Sequence, residues 1–453
     1  MTIPYKPGDV ELKSCLLYNY NKKVIDIRHL TVEFNIYHDI FDHGITCELV
    51  LADSNGIVEF MPIVGEETLV ISFKTPTFDN LLTYVFRVYS ITDKNKSEQR
   101  SDVFVIHGVS QEGLSNQRKG VKKSYVDLPA STIVKSIYNE FLKPTEEEYG
   151  IIKKNKVLEI EETKDNVSLV VPDKKPFDVI NYLAGEAESK NNQESLASNF
   201  IFFEDADGWH FKTIDSMLTQ DAVENFFLVD AQVEQEKDMG DKINPHQKIS
   251  NLDFESQLDT LENLEMGLYF NTIETIDPIT KRFTTDSYLY ERDSSKIGHV
   301  EKSFNNRKYL TENSIFKNDA GSSKSIMIIS NIGENYSKQN FLNAAVTNDA
   351  QIRNPRKIHK FLKYDIASRL QLENISFSVT VPGNSDIRIG DIVNLHIPQS
   401  TSKKDFEKKV NILYDKRFFI IALRHTYNKK DNSFFTVFEC VKDSFAKELV
   451  EVE

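Results

Sequence analysis

Four short β-type runs recur in one order at the two ends of this chain, and that recurrence limits its possible folds more than any other feature. In the first set, Ile45, Cys47, Leu49 and Leu51 alternate with polar residues. Gly65-Glu66 follows, then alternating Leu69, Ile71 and Phe73, then Tyr84 to Ile91, a charged stretch Asp93 to Arg100, and Val103 to Val109. In the second set, Ile375, Phe377, Val379 and Val381 lead through Ile389-Gly390-Asp391 to Val393, Leu395 and Ile397. Phe418 to Tyr427, a charged tip Asn428 to Asp431, and Phe434 to Val441 complete it. Alternation at period two turns one face of a strand to a core and the other to solvent, so each run predicts a half-buried antiparallel strand. With the further run Leu30, Val32, Phe34 and Ile36, each set predicts a small barrel or sandwich. If every chain carries two such units, three chains present six. A ring of six similar units can dock on a hexameric partner while the remaining domains keep three-fold symmetry.

Between the two sets the period changes. Ile133, Ile137 and Phe141, with Val134, Tyr138 and Leu142, form adjacent rows at helical spacing after the start signals Pro129 and Ser131. A second helix is expected from Pro176 through Ile180, Leu183, Ala184 and Ala187, with the proline where a missing donor does no harm. Phe200 to Phe203, the turn Asp205-Ala206-Asp207-Gly208 and Trp209 to Ile214 predict a hairpin. The middle of the chain reads as long loops interrupted by strand-like runs at Met266 to Thr275 and Ser325 to Ser330. Helical spacing returns at Ile358, Phe361 and Leu362. The expected fold is therefore α+β and mainly β: two related small antiparallel β-barrels, an α+β module and a loop-rich middle region. The expected division is residues 1–118, an N-terminal β-barrel facing a tube; 119–232, the α+β module with two helices and a hairpin; 233–352, the loop-rich middle; and 353–453, a C-terminal helix and the second β-barrel.

The formal net charge of -14 argues against an electrostatic grip on nucleic acid, which draws on clustered Lys and Arg. Cys15, Cys47 and Cys440 are far apart and lack CxxC spacing, so they predict small buried apolar residues made in a reducing compartment. The N-terminus lacks the apolar stretch of a signal peptide and no run reaches the length of a membrane span, so neither export by that route nor membrane insertion is expected.

No Gly-x-Ser-x-Gly elbow, Walker Gly-Lys-Ser/Thr or Gly-x-Gly-x-x-Gly occurs. His38 and His43 lack the i, i+4 spacing of a helical zinc site. Asp205 to Gly208 superficially suggests a calcium loop, but Ile214 stands where the bidentate Glu should be, so a plain Asp-Gly hairpin turn is expected. Glu146 to Glu148, and Glu161 with Glu162, could supply an acid and a base, yet chance pairs are expected among 69 carboxylates. No catalytic, cofactor-binding or metal-binding residue is expected, and no cofactor. Two basic stretches stand out, Arg118, Lys119, Lys122 and Lys123, and Arg353 to Lys360; they read as a solvated linker and the polar face of a helix, or as docking points for an acidic ring.

Phe418 to Tyr427, Phe435 to Cys440 and Lys442-Asp443-Ser444 resemble the closing hairpin of baseplate hub proteins from T-even-type contractile-tailed bacteriophages. Val381 to Asp386 and Ile389 to Val393 are similar to the preceding hub strands, and Gly267-Leu268-Tyr269 with Asp277 to their middle region. With the barrel, the two helices and the Asp205 hairpin, the resemblance spans most of the chain. It implies a non-enzymatic homotrimer, with two barrels per chain in a pseudo-hexameric ring around a central channel. The tail tube protein would sit on one face and the trimeric central spike on the other, beside further baseplate proteins. DNA would pass through without specific binding. The expected location is the virion baseplate, after assembly in the host cytoplasm. The alternative from another class is a receptor- or carbohydrate-binding tail adhesin, which gives no reason for the internal repeat.

Overall fold

The computed structural model of the chain describes residues 6–443, apart from 20, 54–55, 57–62, 77, 79, 97–101, 145–155, 192–194, 229–243, 258, 278–280, 302–323, 330–357, 373 and 399–415. The first β module comprises β1 (Glu11–Tyr18), β2 (Val24–Asp26), β3 (Thr31–Asp39), β4 (Thr46–Asp53), β5 (Thr68–Lys74), β6 (Leu81–Lys96) and β7 (Asp102–Ser110). They pair antiparallel in the order β3-β4-β7-β6-β5-β1-β2. The period-two pattern sorts the side chains: Cys47, Leu49 and Leu51 of β4 turn inward with Phe34, Ile36, Leu69, Phe73, Phe86 and Phe104, all buried in one core. Among the described residues no ladder joins β1 to β3. The connection is made at Ile27, whose N–H donates to Cys15 O at 2.8 Å while its carbonyl accepts from Thr31 N at 3.0 Å.

An α+β module follows. It contains the helix Gln111–Arg118, β8 (Val121–Pro129), the helix Ala130–Ile137 passing into a π turn at Tyr138–Leu142, β9 (Val157–Ile160), β10 (Asn166–Lys174), the helix Pro176–Glu186, β11 (Phe200–Glu204), β12 (Gly208–Thr213) and the short helix Ile214–Leu218. Both expected helices and the expected hairpin are present. Their apolar rows meet around Trp209, whose ring stacks on Phe202 at 4.8 Å and tilts against Phe177 at 5.5 Å.

The second β module is split in sequence. Its first strands are β13 (Ala222–Phe227) and β14 (Asn251–Gln257). Then comes an inserted segment with the helix Thr260–Met266, β15 (Phe270–Asp277), β16 (Arg282–Leu289), β17 (Lys324–Ile329) and the helix Ile358–Leu372. The module resumes with β18 (Ile375–Pro382), β19 (Ile392–His396), β20 (Lys416–Asn428) and β21 (Ser433–Lys442). Sheet membership thus crosses the expected divisions at 232 and 352. The middle is more regular than its sequence suggested, since β16-β15-β17 form a sheet of their own. Where one strand was expected from Met266, Gly267 at φ +94° ends a helix capped by Asp259, and the strand begins only at Phe270.

The repeat is present in the ladders. The second module pairs as β14-β18-β21-β20-β19-β13, matching β3-β4-β7-β6-β5-β1, except that β13 runs parallel to β19 while β1 is antiparallel to β5. The correspondence reaches single residues. The β6–β7 ladder carries a bulge between Val88 and Ser90, and the β20–β21 ladder carries one between Ile420 and Ala422. One residue before each bulge, Val88 N donates to Glu67 O and Ile420 N to Asp391 O, both at 3.0 Å. Each of these turns holds a glycine in the left-handed region, Gly65 at φ +91° and Gly390 at φ +86°, which a β-carbon would strain.

Candidate functional site at the junction of the modules

The two β modules share one sheet of thirteen strands, because β20 serves both. Its first half, Lys416 to Phe419, pairs with β19, and its second half, Ala422 to Asn428, pairs with β3 from Asp39 to Glu33. Side chains follow the backbone across the junction. Tyr427 stacks on Phe34 at 5.1 Å and Phe434 meets Phe73 edge-on at 5.1 Å, so the tip of the β20–β21 hairpin fills the core of the first module. Phe434 N donates to Gly8 O at 2.8 Å, and Gly383 N to Phe434 O at 2.8 Å. His425 lies fully buried beside His38, ring centres 5.9 Å apart. Burial, followed by the charges of His38 and Arg388, pushes its pKa well below the ordinary histidine value.

Charged groups brace the α+β module internally and, through Arg388, fasten it to the second β module. Lys156 reaches Glu112, in the first turn of the helix after β7, and Glu204, at the end of β11. Both carboxylates are almost wholly buried, at 1% side-chain exposure each. Burial alone would lower the Lys156 pKa, but the two carboxylates raise it well above normal. On the other side, Asp205 Oδ1 accepts from Asp207 N and Gly208 N at 2.8 Å, and its Oδ2 lies 2.9 Å from His210 Nε2. Burial would raise the Asp205 carboxyl, but these partners, His210 first, hold it at about 2. Arg388 Nε donates to Asp207 Oδ2 at 2.9 Å, tying the turn to the β18–β19 loop. The Asp205 to Gly208 turn is thus a hairpin whose carboxylates are engaged within the chain.

The other residues singled out in the sequence are dispersed. His43 sits away from His38 and bridges Phe202 O at 2.8 Å and Asn181 at 2.7 Å. These residues line a 410 Å³ cleft with Phe200 and Arg369. Asn181 donates its amide to Nε2, which leaves Nδ1 as the protonated nitrogen, donating to the Phe202 carbonyl. Glu161 accepts from Thr213 N at 2.9 Å, and Glu162 pairs with Lys190 at 2.7 Å. Lys122 and Lys123 pair with Asp173 and Glu140 at 3.2 and 2.7 Å. Glu146 to Glu148 and Arg353, Arg356 and Lys357 lie outside the described residues. Among the described residues no group of three or more His, Cys, Asp or Glu is placed to hold a metal ion, and no helix is long and apolar enough to cross a membrane. All three cysteines are buried, and burial pushes the Cys15 thiol up to about 12.

Sequence reasoning missed the Lys156 cluster, and also Asp365, which holds the long inserted helix against the α+β module by accepting from Ser198 N. Burial raises the Asp365 carboxyl from 3.8 to about 7 against the Ser198 hydrogen bond. A carboxyl raised in this way favours the fold fully below about pH 4, and that contribution is lost as pH climbs through about 7. Asp365→Asn keeps the acceptor oxygen and removes the ionisation. It is expected to add about 2–4 kcal/mol at pH 8 and almost nothing at pH 4. Denaturant titration at the two pH values checks this.

No family model matches the chain, and no curated protein matches it in sequence. Solved structures do share its fold. A tail protein from Neisseria meningitidis MC58 superposes with a TM-score of 0.51 at 10% identity, over 95% of this chain and 96% of that one. The 43 kDa tail protein of prophage MuSo2 from Shewanella oneidensis superposes with a TM-score of 0.50 at 8% identity, over 95% and 98%. The chain therefore has the fold of these two tail proteins along nearly its whole length.

Proposed function

We propose that this chain is the structural hub of a contractile phage tail baseplate, a homotrimer that adapts a hexameric tail tube to a trimeric central spike without catalysing a reaction. The observation that carries this reading is the six-strand order that occurs twice in one chain and fuses, through β20 and β3, into one sheet. Three such chains supply six similar modules for a six-fold partner, while the single α+β module and the single insertion per chain keep three-fold symmetry for another. The net charge of -14 suits a central channel that lets DNA slide past without holding it. The fold shared with two tail proteins agrees with a place in the virion tail, reached by assembly in the host cytoplasm.

The reading is tested by mixing the chain with the tube and spike proteins of its own tail and imaging the products. The expected product is a stack of tube, ring and spike. A single copy that joins neither protein but binds glycans would overturn the reading in favour of the adhesin.

A further inference from the structure

We propose that β14 of one copy pairs antiparallel with the outer half of β6 of the next copy, repeating between chains the β3–β20 pairing made within each chain. The number of copies rests on the hub reading above; the strands and register come from the repeat. In the second module, the half of β20 beyond its bulge pairs with β21 on one side and with β3 on the other. In the first module, the half of β6 beyond its matching bulge pairs with β7, and β5 reaches only as far as Arg87. Likewise β3 lies between β4 and β20, whereas its counterpart β14 pairs among the described residues with β18 alone. Each chain therefore carries one completed junction and, at its two ends, the two halves of another.

The side chains differ in the way an interrupted junction requires. Ile36 of β3 is fully buried, while its counterpart on β14, Phe254, is 49% exposed. Leu423 of β20 is buried, and its counterpart Ile91 on β6 is half-buried. The bulge residue Tyr89 is 56% exposed where Ile421 is half-buried. Asp253 and Glu255 on β14 would face the segment of β6 that carries Lys94, and opposite charge favours that orientation. An open strand edge is a template for another strand, and here the template is already used once inside the chain. The contact is head-to-tail, so it closes into a ring when the rotation at the new junction matches the one within the chain.

The register follows from the ladders. Arg424 lies opposite Tyr37, and their counterparts are Thr92 and Ser256. Thr92→Cys combined with Ser256→Cys is expected to give covalent dimers and closed trimers on a non-reducing gel after mild oxidation. Mixing chains that carry one cysteine each is expected to give only dimers, and either single variant alone none. The three native cysteines are buried and do not compete. Phe254→Asp is expected to shift the particle toward single copies in light scattering. A trimer that forms no covalent product from the double variant would overturn this junction and leave the hub reading standing. A chain that stays single, alone and with its tube protein, would overturn both.

Discussion

Replacing Lys156 with methionine is expected to cost about 3–5 kcal/mol of folding stability, because it leaves two buried carboxylates without their cation. Glu112 and Glu204 lie on different elements of the α+β module, the helix after β7 and the end of β11, and the ammonium between them is the bond that lets both be buried. Glu204 is also held by Ile45 N at 3.2 Å, so it cannot swing to solvent without opening the edge of β4. Burial raises the Glu204 pKa while Lys156 opposes that rise. In the variant the opposition is gone and protonation becomes the remaining relief. The deficit should therefore be larger at pH 8 than at pH 5, and Glu204→Gln added to Lys156→Met should recover part of it. Chemical denaturation of the natural chain, the single variant and the double variant at both pH values provides the check. A loss below about 1 kcal/mol would mean that the cluster is hydrated and not a fastening.

Phe434→Ala is the second change with a large expected effect, about 3–5 kcal/mol, since it empties a fully buried aromatic site. The ring sits against Phe73 and His425, at 5.1 and 5.5 Å, and covers Gly383 so closely that a β-carbon there would lie 1.8 Å from it. Gly383→Ala should therefore destabilise the natural protein but cost much less in the Phe434→Ala background, a non-additivity expected of groups in direct contact. Amide exchange should quicken in β3 and in the outer half of β20 together, because the hairpin tip holds the two modules in one sheet. Additive costs would show that the glycine and the ring do not share that space.

Much of the fold was legible because strands that bury one face must alternate. Cys47, Leu49 and Leu51, or Val393, Leu395 and Ile397, leave little choice of period, and the order of such runs exposed the repeat. What stayed hidden has physical reasons. The first strands of the second module lie in 222–257, separated from the rest by an insertion, so their membership depends on long-range pairing. In β16, Arg282 to Leu289, polar residues dominate and among its described side chains only Tyr288 is fully buried, which leaves a weak alternation. Edge partners such as β20 and β3 are chosen across about 390 residues, and nothing local encodes that choice. Lys156 and Asp365 looked like any surface charge, because burial and not residue type gives them their importance.

The central claim is that three chains build a six-module ring, and the most direct measurement is the solution mass of the purified chain by light scattering, with averaged images of the same particles. The account predicts a mass of about 156 kDa, three times the 52.1 kDa chain, and a ring with six outer lobes. Three chains without six lobes, or a chain that stays single both alone and with its tube and spike proteins, would contradict it.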